Sequence, residues 1–79
     1  MIYNITNSTI NIEKLKDAIK MAKNTSRPKY IVMGSKTIVG IANEFKNNGI
    51  MWEGNLSKVE GIPIAHGYDL DFGIIDIVY

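Results

Sequence analysis

Tyr30-Ile31-Val32-Met33-Gly34-Ser35-Lys36-Thr37 is the stretch that decides the fold. Four consecutive apolar residues stand between Pro28 and Gly34. An unbroken run of that length is the pattern of a strand buried on both faces, so Tyr30–Met33 is expected at the centre of a sheet. Gly34 stops the strand, and Ser35 is a residue type that caps helix N-termini. Ile38, Ile41, Ala42 and Phe45 then recur at helical spacing, which predicts a helix to about Asn47. Gly40 falls inside it, where glycine costs about 1 kcal/mol relative to alanine, so a close neighbour is expected there. Asn48-Gly49 reads as the helix stop, with Gly49 suited to the left-handed conformation.

Upstream, Met1 to Thr6 reads as a strand with Met1, Tyr3 and Ile5 on one face. Asn7-Ser8-Thr9 is turn chemistry. A helix is predicted over Asn11–Lys23. Ile12, Leu15, Ile19 and Ala22 form its apolar stripe with Ala18 beside them, and Asn11 is its N-cap. Glu13 and Asp17 near its start, and Lys20 and Lys23 near its end, suit the helix dipole. Asn24-Thr25-Ser26-Arg27-Pro28 ends it.

Downstream, Ile50–Glu53 reads as a short strand, Gly54-Asn55 as a turn and Leu56–Glu60 as extended chain. Ile62–Ala65 contains Pro63, which has no N–H to donate, so it is expected to be an edge strand or to pair on one side only. Gly67–Gly73 is a loop; an extended path through it would project Asp69 and Asp71 to one side and turn Leu70 and Phe72 inward. The last strand, Ile74–Tyr79, sets Ile75, Ile77 and Tyr79 on one face and Ile74, Asp76 and Val78 on the other. The fold class is therefore α/β, an α+β sandwich in which a mixed sheet of four or five strands carries two helices on one face, in the order β-α-β-α-β-β-β.

With 79 residues, residues 1–79 are expected to form a single compact domain. A hydrophobic content of 46% with 22% charged residues excludes a disordered chain. The absence of cysteine excludes disulfides, thiolate chemistry and cysteine zinc sites. No apolar run is long enough to span a membrane, and the first residues lack the basic and apolar regions of a secretory leader. A membrane partner is not expected, and the expected location is the cytoplasm of a bacterial cell. Fourteen isoleucines and eight lysines against one arginine suggest an AT-rich coding sequence. The net charge of +1 hides a gradient: residues 1–40 carry seven cations and two acids (+5), residues 41–79 two cations and six acids (−4). Such asymmetry steers charged partners or favours head-to-tail association.

From Tyr30 onward the chain resembles a segment of tailed-phage major capsid proteins, the compact axial lobe of the capsid fold. The residues that carry the resemblance are Ile31-Val32-Met33-Gly34-Ser35-Lys36-Thr37 with the helix through Phe45, then Gly61-Ile62-Pro63-Ile64, then Phe72-Gly73-Ile74-Ile75-Asp76-Ile77-Val78. The long spine helix, N-terminal arm and extended loop of that family have no counterpart in this sequence. The resemblance implies a small phage or prophage protein built on a similar lobe, with no catalytic residues to inherit.

His66, Asp69 and Asp71 form an H-x-x-D-x-D cluster. Three ligands are too few for a dedicated hard-cation site, so no metal or other cofactor is expected, and the cluster reads as a turn with solvated carboxylates. No nucleophile accompanies it, so an enzyme is not expected. Gly34-Ser35-Lys36-Thr37 echoes the end of a phosphate loop without its preceding glycine. Lys16, Lys20 and Lys23 line one helical stripe. They have no interleaved aromatics and the chain is nearly without arginine, so nucleic acid is the third reading only.

The leading expectation is a non-enzymatic phage or prophage module that binds another protein, host or viral. It would inhibit a host defence or host enzyme by covering its surface. Trp52 and Tyr68 would serve as apolar anchors and Glu53, Asp69 and Asp71 as an acidic face. The second reading is a virion or assembly component that forms a homo-oligomer through exposed strand edges.

Overall fold

The computed structural model describes residues 1–47 and 57–79. The strands are β1 (Ile2–Asn4), β2 (Thr6–Asn7), β3 (Thr9–Ile10), β4 (Tyr30–Met33), β5 (Lys58–Val59), β6 (Ile62–His66) and β7 (Ile74–Val78). The helices are α1 (Ile12–Thr25), between β3 and β4, and α2 (Ser35–Asn47), between β4 and β5. The main sheet has the order β1-β7-β4-β6-β5, with β4 in the middle as its sequence predicts. β4 runs parallel to β6 and antiparallel to β7, and β7 is antiparallel to β1. The sheet is therefore mixed.

Both helices cover the same face, and the strand order explains why. The step from β1 through α1 to β4 and the step from β4 through α2 to β6 travel in the same direction across the sheet. Parallel crossovers are right-handed, so two that travel the same way put their helices on one side. Ile31, Met33, Ile75 and Ile77 point to that side and are fully buried in one cluster with Leu15, Ile19 and Ala22 of α1 and Ile41 of α2. Each such side chain contributes roughly 1.5–3 kcal/mol.

The local signals mostly act as read. The Asn11 side chain accepts from Lys14 N at 3.0 Å, and α1 buries Leu15, Ala18, Ile19 and Ala22 of the predicted stripe, with Ile12 half-buried at its start. It runs two residues beyond Lys23, and the Ser26 N–H closes it on Ala22 O. Gly40 has the close neighbours expected: an added Cβ would lie 2.7 Å from Ile10 Cγ1 and 3.3 Å from Phe72 Cε1. Ile10 is buried and cannot withdraw. The steric cost should exceed the helix-propensity gain, so Gly40→Ala is expected to lower stability by about 1 kcal/mol in a urea titration. A variant more stable than the parent would show that the α2–β3 contact yields.

Five expectations need correction. The Met1–Thr6 strand breaks at Ile5, whose N–H donates to Gly73 O (2.8 Å) and whose carbonyl accepts from Asn11 N (2.8 Å). Beyond the break, β2 and β3 form their own hairpin around Ser8, at φ 71°. Ser35 is the first residue of α2 rather than its cap: Gly34 O accepts from Ile38 N, so the cap position is Gly34. Phe72 does not turn into the core; it stays 48% exposed over Gly40.

β6 is not an edge strand, since it lies between β4 and β5. Ile64 gives its N–H to Ser57 O on the β5 side, and Gly67 gives its own to Met33 O on the β4 side. Backbone donors alternate, so the Pro63 nitrogen faces β4. It does so one residue before the first paired residues, Ile31 and Ile64, and its missing donor breaks no ladder bond. Finally, Tyr30–Met33 is buried on one face only: Ile31 and Met33 are fully covered, whereas Tyr30 is 39% exposed and Val32 half-buried.

Candidate functional site

Among the described residues, no element covers the face of the sheet opposite the helices, which is called the uncovered face and is built from the alternate residues of every strand. The pairings Ile2–Asp76, Asp76–Val32 and Val32–Ala65 make one row across it. Val78–Tyr30 makes the next, continued by Pro63, which pairs with Lys58 on β5. Asn4–Ile74 makes a third. Seven of these ten residues are apolar. Ile2 is 64% exposed and Tyr30 39%, Pro63 is exposed, and Val32, Ala65, Ile74 and Val78 are half-buried. A contiguous apolar surface of this kind marks a contact site, unlike scattered exposed apolar residues. Three charges interrupt it, two of them paired with each other. Asp76 sits inside the face, its Oδ1 accepting from the Met1 amino group at 2.8 Å, and Lys58 stands at the β5 edge.

This face was hidden in the sequence. A strand that is apolar on both sides reads the same whether its second side meets its own domain or a separate surface. The half-polar alternation of β7, with Asp76 between Ile75 and Ile77, was the one local sign that this second side is not sealed.

The residues singled out from sequence lie elsewhere. Tyr68 is 93% exposed at the tip of the β6–β7 loop, with Asp69 and Asp71 exposed beside it. His66 is exposed at the end of β6. Among the described residues, no three His, Cys, Asp or Glu side chains converge as metal ligands. The loop and the start of α2 enclose a depression of about 250 Å³, lined by residues 34–37 on one side and Gly67, Tyr68, Leu70 and Phe72 on the other. Thr37 does not offer its hydroxyl there, because Oγ1 is fully buried and accepts from Gly73 N at 2.9 Å. Lys16, Lys20 and Lys23 are exposed on α1, on the helical side of the sheet, and Lys23 Nζ donates to Glu60 O at 3.3 Å. The acidic loop and the basic helix are therefore separate surfaces. Trp52 and Glu53 lie outside the described residues, as do the predicted Asn48-Gly49 stop, the Ile50–Glu53 strand and the Gly54-Asn55 turn.

No protein-family model, no curated protein and no solved structure matches this chain. Among the described residues, no helix is long and apolar enough to cross a membrane.

Proposed function

We propose that this protein is a non-enzymatic protein-binding module whose contact surface is the uncovered sheet face, centred on Tyr30 and Val32. The observation that carries the reading is that face itself: an apolar surface spanning the sheet, held rigid by a core on its other side. A flat β surface needs little reordering on binding, so apolar burial there converts to affinity with a small entropic loss. Tyrosine is a favoured anchor at such contacts. The resemblance to the capsid axial lobe supports a phage or prophage setting, in which occlusion of a host or viral protein is the simplest action of a small module.

Three variants separate the surfaces when immobilised protein is used to capture partners from bacterial lysate. Tyr30→Lys places a charge in the uncovered face and is expected to weaken capture at least tenfold, an effect of about 1.4 kcal/mol or more. Tyr68→Ala and the combined change of Lys16, Lys20 and Lys23 to Glu should leave it intact. Capture that survives Tyr30→Lys and disappears with Tyr68→Ala moves the site to the β6–β7 loop. Capture lost only with the lysine changes, and falling steeply with salt, moves it to α1 and to nucleic acid.

A further inference from the structure

We draw no further inference here: the strongest candidate, the uncovered apolar face of the sheet around Tyr30 and Val32, belongs to the site already described, and nothing in the structure shows what covers it, since Asp76 within it is already paired with the Met1 amino group.

Discussion

Gly73→Ala is expected to cost about 3 kcal/mol or more, the combined scale of a strained backbone conformation and a steric collision. Gly73 has φ 81°, a region that L side chains rarely adopt. An added Cβ would also collide with Thr6 Cγ2. Thr6 cannot turn away, because its backbone N–H (2.9 Å) and its Oγ1 (2.6 Å) both donate to Asn4 Oδ1. Gly73 itself ties three parts of the fold: its N–H donates to Thr37 Oγ1 in α2, and its carbonyl accepts from Ile5 N at the break between β1 and β2. In a domain of this size 1 kcal/mol moves the melting temperature by about 4–8 °C, so a fall of at least about 12 °C is expected in a thermal melt followed by circular dichroism. A fall of less than about 3 °C would show that the hairpin rearranges around the new methyl group.

Thr37→Val should be the second large effect, about 1–3 kcal/mol, because it preserves shape and removes one atom's function. Thr37 is fully buried on α2, and its hydroxyl is the acceptor for the Gly73 N–H. Valine leaves that donor buried and unpaired. Thr37→Ser keeps the acceptor and loses one methyl, at a cost nearer 1 kcal/mol. Chemical denaturation of the three proteins should therefore rank them wild type, serine, valine. A valine variant as stable as the serine one would mean that the N–H finds another acceptor.

The elements that were legible in the sequence are those set by local periodicity. The stripe Leu15-Ala18-Ile19-Ala22, the cap at Asn11, the alternation Ile75-Asp76-Ile77 and the tight packing at Gly40 follow from spacing and from residue size, and each is found where it was expected. What escaped is what depends on distant partners. The break at Ile5 is made by Gly73 and Asn11, and the interior position of β6 by the two-residue strand β5. In the sequence Thr37 stands out only as the end of the phosphate-loop echo, and only the loop returning at Gly73 gives it a buried role. The candidate site escaped for the same reason. Tyr30 and Val32 were read as core because residue type records the preference for burial and not the identity of the covering surface.

The strand order has one further consequence, for how the chain acquires its shape. β7 is the last strand in sequence but stands second in the sheet, wedged between β1 and β4. Until it is in place, β1 has no strand beside it and β4 is paired on one side alone. The two helices then have only part of a floor beneath them. Assembly must wait for the carboxy-terminal strand to slot between the earliest strand and the middle one, a long-range pairing that slows folding and leaves apolar surface open while the chain is still being made. A chain cut short before Ile74 would lose a keystone rather than a margin.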